Sequence, residues 1–125
     1  MGYRSEVLLA IAPEAAHAFM TLTAQNPAVM QMCHDADQFE SGYDQKGDWL
    51  IYWSHIKWYD SYPEVAAIVA FIEALESEDL TDYGETEEKD WSECFKFIRC
   101  GEDMDDNESR GYGFENIHMR RSIDF

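Results

Sequence analysis

Short apolar runs, separated by polar and turn-forming residues, divide this chain into alternating strands and helices. Residues 6–12 read EVLLAIA, a run too short for a helix and apolar on both faces, which predicts a buried strand. Pro13 suits the first turn of a helix, and Ala15, Phe19 and Leu22 follow it at helical spacing. The pair Asn26-Pro27 should end that helix, and a second short helix is predicted over residues 27–37.

Two aromatic-rich segments, residues 39–43 and 49–58, flank a turn-like stretch at 44–47 and predict a β-hairpin. The second strand alternates between two apolar faces, which is typical of a strand in the middle of a sheet. One face is predicted to carry Trp49, Ile51 and Trp53, and the other Leu50, Tyr52 and Ile56.

The clearest helix start lies at residues 61–64, where Ser61 and Glu64 match a capping box with Ser61 as N-cap. Residues at helical spacing then form an apolar stripe that ends near Ser77. Its members are Val65, Ile68, Val69, Phe71, Ile72 and Leu75.

Two further strands are predicted, over residues 91–100 and 113–123. Cys94 and Cys100 should point to one face of the first of them as half-buried thiols. The order β-α-β-β-α-β-β predicts an α+β fold, with a mainly antiparallel sheet and helices packed on one face. A chain of 125 residues is the usual size of one domain, so residues 1–125 are assigned to a single domain.

The composition separates this chain from disordered acidic tails, which are poor in aromatic residues. Here 14% of the residues are aromatic and 46% are hydrophobic, so a packed core is expected. The three cysteines cannot all pair within one chain, and the N-terminus lacks a basic region followed by a long apolar run. We therefore expect reduced thiols, no secretory signal and a cytoplasmic location.

Net charge is the most unusual feature of the sequence. Nine Lys and Arg face 26 Asp and Glu, a formal net charge of −17. Nucleic acids and anionic membranes are bound through Lys and Arg, so direct binding to either is not expected. Such self-repulsion opposes compaction. The surplus of acidic residues is therefore kept either for solubility or because a basic protein surface recognises it.

The acids are concentrated in residues 73–108, which carry fifteen acids and three bases. The first acidic segment contains Glu73, Glu76, Glu78, Asp79, Asp82, Glu85, Glu87, Glu88 and Asp90. The second contains Glu102, Asp103, Asp105, Asp106 and Glu108, in a predicted loop. A ten-residue strand between them would span about 30 Å, so two patches or an interrupted stripe are predicted.

Motifs for metals and catalysis are incomplete. Counting Asp103 as the first position of a calcium loop places Glu108 where Gly is needed and Phe114 where a bidentate Glu belongs. Cys33-His34-Asp35 has no second ligand pair at zinc-finger spacing, so a metal site would require His17, His55 or His118 to be brought in by the fold. Neither a P-loop nor a Gly-x-Ser-x-Gly elbow is present. We predict no cofactor and no enzymatic activity.

Aromatic residues surround the predicted end of the hairpin and the start of the next helix. Two interpretations remain open for this cluster, a sheet core built from cross-strand pairs and partly exposed anchors of a binding surface. The candidate anchors are Trp58, Tyr59 and Tyr62.

Three short motifs resemble those of a group of small, mostly uncharacterised bacteriophage and prophage proteins. They are the opening MGYRSEV, the central KWYDSYPEV at 57–65 and the segment RCGED at 99–103. The resemblance implies a phage or mobile-element origin, hence the cytoplasm of a bacterial host, and it carries over no catalytic residue.

Small acidic phage proteins recurrently inhibit host defence complexes, as many anti-CRISPR proteins do. The sequence and the resemblance together favour such an inhibitor, which presents carboxylates to a basic nucleic-acid channel as a DNA mimic. Two alternatives remain, a phage assembly accessory that self-associates and a small metal-dependent enzyme with an unrecognised site.

Overall fold

Five strands form one antiparallel sheet, with three helices on one of its faces, in a computed structural model that describes residues 2–119 and 123–125. The elements are β1 (Ser5–Ile11), α1 (Pro13–Gln25), α2 (Pro27–His34), β2 (Gln38–Ser41), β3 (Trp49–Ile56), α3 (Pro63–Ser77), β4 (Phe95–Cys100), β5 (Asn107–Arg110), β6 (His118–Met119) and β7 (Ile123–Asp124). The order in the main sheet is β2-β3-β1-β4-β5, and β6 pairs with β7 separately. The predicted α+β class is confirmed.

The first apolar run forms the centre of the sheet because both of its faces are covered. Leu9 pairs with Ile51 of β3 on one side and with Phe97 of β4 on the other. Alternate residues of β1 pack against the helices, and the others pack under the C-terminal segment, where Ile117 and Ile123 are buried. The predicted hairpin is confirmed as β2 and β3, with β3 paired on both sides.

Helix α3 begins later than its capping signal predicted. Tyr62 is the N-cap, with an extended backbone (φ −80°, ψ 126°) and no side-chain cap, so the assignment of Ser61 as N-cap is wrong. The reason is Pro63, because proline disfavours a helical conformation in the residue that precedes it. The helix therefore starts at Pro63, whose missing N–H costs nothing there.

The single strand predicted over residues 113–123 is wrong in part, because the described residues of this range are extended only at His118–Met119 (β6) and Ile123 (β7), which pair with each other. The last strand of the main sheet is β5, within a segment that was predicted to be loop, while part of the predicted strand lies at 120–122, outside the described residues. Phe114 has a positive φ of 55°, which turns the chain away from an extended path. In β5, Glu108 lies opposite Arg99, a cross-strand ion pair that favours this register.

The faces predicted for two residues are also wrong. Cys94 ends a 3₁₀ turn at Trp91–Glu93 and packs on the helix side, whereas Cys100 packs on the opposite face. Ile56 packs on the helix side as well, because the register between β1 and β3 shifts between Ser5 and Val7 and leaves an extra residue in β3.

The turn of the hairpin is held by a buried carboxylate that the sequence did not mark. Asp48 is fully buried, and its side chain accepts hydrogen bonds of 2.8–2.9 Å from the backbone N–H groups of residues 42–45. Burial by itself raises the pKa of Asp48, but the four donors outweigh it and hold the pKa below its usual value.

All three thiols are free and buried, and burial raises the pKa of Cys33 to about 12.

Among the helices of residues 2–119 and 123–125, none has both the length and the apolar character needed to span a bilayer.

Candidate functional site

The two acidic segments lie at opposite ends of β4. This strand has six residues and spans about 20 Å, less than predicted, because residues 91–93 form a 3₁₀ turn instead of extending it. The first segment begins in the last turns of α3 and runs to the start of β4, and the second runs from the end of β4 into β5. The acids form two groups that meet at Arg110, which pairs with Glu76 of the first and with Glu108 of the second.

We call the exposed acids of residues 73–93 the acidic patch. Six of its carboxylates have no side-chain or backbone partner within the described part of the chain, namely Glu73, Glu78, Asp82, Glu88, Asp90 and Glu93. Three others of the segment have partners, since Glu85 lies 3.0 Å from His17, Glu87 lies 3.5 Å from Lys89, and Asp79 bonds the backbone and hydroxyl of Thr81.

Two members of this region were missed by sequence reasoning. Glu93 was counted in the charge balance but not assigned to the site. Glu14, on α1, lies near enough to act on the thiol of Cys94, whose pKa is raised by burial first and by the negative charge of Glu14 second. Glu14 was missed because it precedes the acidic segment by about sixty residues, and only helix packing brings it close.

Three of the predicted binding residues are used inside the protein. Arg110 pairs with Glu76 and with Glu108, and Arg99 pairs with Glu108 at 3.2 Å and with Asp106 at 2.7 Å. This network runs from the end of α3 across β5 and β4, between the two groups. Its two arginines compensate most of the charge of its three carboxylates, so these acids are poorer candidates for contact with a partner than the unpaired ones.

The second acidic segment is held rigidly. Glu102 accepts a hydrogen bond of 2.9 Å from the backbone N–H of Arg4. The side chains of Asp103 and Asp105 are exposed and form no hydrogen bond or ion pair with any described residue. Between them Met104 is 95% exposed. Two free carboxylates and an apolar tip are therefore presented together.

Tyr3 ties this loop to the aromatic segment, a role that sequence analysis missed. Its hydroxyl donates to Asp106 at 2.6 Å and accepts from the backbone N–H of Asp103 at 3.0 Å. Its own backbone N–H donates to the hydroxyl of Tyr59 at 2.7 Å. Hydrogen bonds from Arg99 first, and then from Tyr3, lower the pKa of Asp106 to about 2.

Two glycines make this close arrangement possible. A Cβ at Gly101 would collide with the hydroxyl of Tyr3 and the carboxylate of Asp106, and a Cβ at Gly2 would collide with the side chains of Lys57 and Tyr59. The three motifs that carry the phage-protein resemblance therefore meet at one end of the sheet. We call this region, residues 2–4, 57–62 and 101–106, the Tyr3 cluster.

The candidate aromatic anchors divide into two kinds. Trp58 lies between Trp53 and Phe97, with ring centroids 5.8 and 5.7 Å away, and packs against the helix-side core. The rings of Tyr59 and Tyr62 pack against each other with their centroids 5.2 Å apart, and both side chains are partly exposed. The structure brings these tyrosines together with the second acidic loop and not with the acidic patch.

Candidate metal ligands are dispersed. Within residues 2–119 and 123–125, no group of three His, Cys, Asp or Glu side chains is placed to hold a metal ion. His118 lies 3.1 Å from Asp124, and Cys33 is fully buried.

Comparison with protein-family models, with curated proteins and with solved structures found no match.

Proposed function

We propose that this chain is a phage-encoded, non-enzymatic inhibitor that binds a basic surface of a host nucleic-acid-handling defence complex, in the manner of an anti-CRISPR DNA mimic. The observation that carries the proposal is the acidic patch. Six exposed carboxylates without a partner among the described residues project from the end of α3, the loop after it and the 3₁₀ turn that precedes β4. The phage origin rests on the resemblance of the three motifs.

Carboxylates can take the place of phosphates as partners for Arg and Lys. Each such contact is a charge-assisted hydrogen bond, about twice as strong as a neutral one. The net charge of −17 also steers the chain toward a basic surface and speeds association at low salt. Unpaired carboxylates serve this purpose better than those of Glu76, Asp106 and Glu108, which already face arginines.

The Tyr3 cluster, at the other end of β4, offers a second contact. There Asp103 and Asp105 supply charge, while Tyr59 and Tyr62 supply partly exposed aromatic area of the kind that dominates interface energetics. Two separated contacts suit a partner that binds an extended nucleic acid along a channel.

The test is inhibition of DNA binding by purified CRISPR effector complexes, followed by gel shift at low and high salt. We expect the wild-type chain to compete with target DNA, and competition to weaken as salt rises. The triple variant Glu78→Lys, Asp82→Lys and Glu88→Lys should lose competition. The matched control, Glu40→Lys, Asp44→Lys and Glu115→Lys, makes the same change in net charge at exposed sites elsewhere and should retain it.

Equal competition by the two triple variants, or competition that is insensitive to salt, would show that the acidic patch does not mediate binding. Tight binding of free DNA by the purified chain would also refute the mechanism.

A further inference from the structure

An open groove of about 750 Å³ lies between α2, the end of β3 and the start of α3. Small-molecule sites in proteins have volumes of roughly 300–1,000 Å³. Its walls combine apolar surface, from Met32, Ile56 and Tyr62, with polar and charged side chains. The groove adjoins the Tyr3 cluster, and the inhibitory mechanism proposed above does not use it.

Two permanent cations, Arg4 and Lys57, line this groove. Neither side chain forms an ion pair with any residue in the described ranges, although acids outnumber bases nearly threefold in the sequence. The stem of Lys57 lies against Gly2 and near the hydroxyl of Tyr59, which limits where its ammonium group can go. The two side chains therefore bring unused hydrogen-bond donors and positive charge to an apolar surface.

Three acids also line the groove with Arg4 and Lys57, so its formal charge is −1, and each acid is stabilised by an interaction within the protein. Asp37 accepts hydrogen bonds from the backbone and the hydroxyl of Ser54, at 2.6 and 2.9 Å, and these lower its pKa. Asp35 accepts one of 3.1 Å from Gln31. Glu64 lies in the first turn of α3, where its charge is stabilised by the helix dipole.

Salt in solution screens the groove from most of the negative charge of the acidic patch. The acidic patch begins at Glu73, nine residues after Glu64 on α3 and so about 14 Å along that helix, whereas the Debye length is about 8 Å at physiological ionic strength. The second acidic segment is closer, because Glu102 bonds the backbone of Arg4 and the exposed Asp103 and Asp105 lie in the adjoining Tyr3 cluster. Its charge opposes an anion in the groove.

We propose that this groove binds a small organic anion with a flat apolar body. The anionic head, a carboxylate, phosphate or sulfonate, bonds Arg4 and Lys57, and the body lies on Met32, Ile56 and Tyr62. Neither feature alone suffices, since an exposed ion pair contributes little and an open apolar groove binds weakly. The proposal stands independently of the proposed inhibitor function.

The test compares two fluorescent probes, anilinonaphthalene sulfonate and N-phenyl-1-naphthylamine, which share a bicyclic body but differ in the anionic head. We expect the wild-type chain to bind the sulfonate more tightly. The double variant Arg4→Gln and Lys57→Gln should weaken sulfonate binding about tenfold while leaving the neutral probe unchanged. Glu102→Gln should strengthen sulfonate binding about two- to threefold.

A matched control removes two cations from other places, by Lys46→Gln and Lys96→Gln, and should leave both affinities unchanged. Ala28→Trp places a large side chain on the exposed wall of the groove and should reduce binding of both probes. The proposal is overturned if the sulfonate does not bind, if the Arg4 and Lys57 variant binds it as tightly as wild type, or if Ala28→Trp has no effect on it.

Discussion

The hydroxyl of Tyr3 donates a hydrogen bond of 2.6 Å to the carboxylate of Asp106, across 103 positions of the sequence. The same hydroxyl accepts the backbone N–H of Asp103, and the backbone of Tyr3 bonds Tyr59. One residue near the N-terminus thus holds both the second acidic loop, through its side chain, and the aromatic segment, through its backbone.

Replacing Tyr3 by Phe keeps the ring but removes the donor to Asp106 and the acceptor for Asp103. We expect the melting temperature to fall by about 4 °C. We also expect the pKa of Asp106 to rise from about 2 while Arg99 still keeps it below the usual value. Circular dichroism and a carboxyl-detected NMR titration measure the two effects. Tyr112→Phe is the control, because Tyr112 is 73% exposed, and equal melting temperatures for the two variants would contradict the role of Tyr3.

Gly101→Ala tests the close approach of the same groups. The added Cβ would collide with the hydroxyl of Tyr3 and the carboxylate of Asp106, so we expect a lower melting temperature. In a Tyr3→Phe background one of these obstacles is absent. The double variant should therefore lose several degrees less than the sum of the two single losses, since contacting residues are not additive. Strict additivity would mean that Tyr3 does not occupy the space next to Gly101.

Asp48→Asn should destabilise the hairpin turn, because an amide presents donors where four backbone N–H groups require an acceptor. We expect the free energy of unfolding to fall by about 2–3 kcal/mol, measured by urea denaturation. Asp44→Asn serves as the control, because the Asp44 carboxylate is exposed while its backbone N–H remains.

The contribution of Asp48 should also depend on pH. Its pKa is lowered by folding, so the unfolded chain binds more protons and this contribution is complete above the unfolded pKa of about 4. It is lost as pH falls further, through the folded pKa. The difference in stability between wild type and Asp48→Asn should therefore shrink below about pH 4. A constant difference from pH 6 to pH 3 would contradict the assignment.

Neutralising the acidic patch should stabilise the protein, because its carboxylates repel one another and lack partners among the described residues. The triple variant Glu78→Gln, Asp82→Asn and Glu88→Gln should melt a few degrees higher than wild type in low salt. The gain should largely disappear in 0.5 M NaCl, where the Debye length is only about 4 Å. A variant that melts lower than wild type at low salt would show that these acids contribute to folding.

Local signals predicted the elements whose own residues decide their structure. The strand β1, the helices α1 and α3, and the hairpin of β2 and β3 all follow from periodicity and turn signals, although the N-cap of α3 lies one residue later than predicted. Strand β5 could not be predicted in this way, since its four polar residues read as loop. Its pairing depends on Arg99 of β4, which supplies the opposite charge for Glu108.

By itself the sequence determined the α+β class and the surplus of carboxylates, since periodicity and charge are properties of the chain alone. Only the tertiary structure decided which carboxylates are free. Glu76 and Glu78 look alike in sequence, yet Glu76 faces Arg110 and Glu78 faces solvent. The reason is that arginines distant in sequence are delivered by strand pairing and helix packing, which neutralise only the acids they reach.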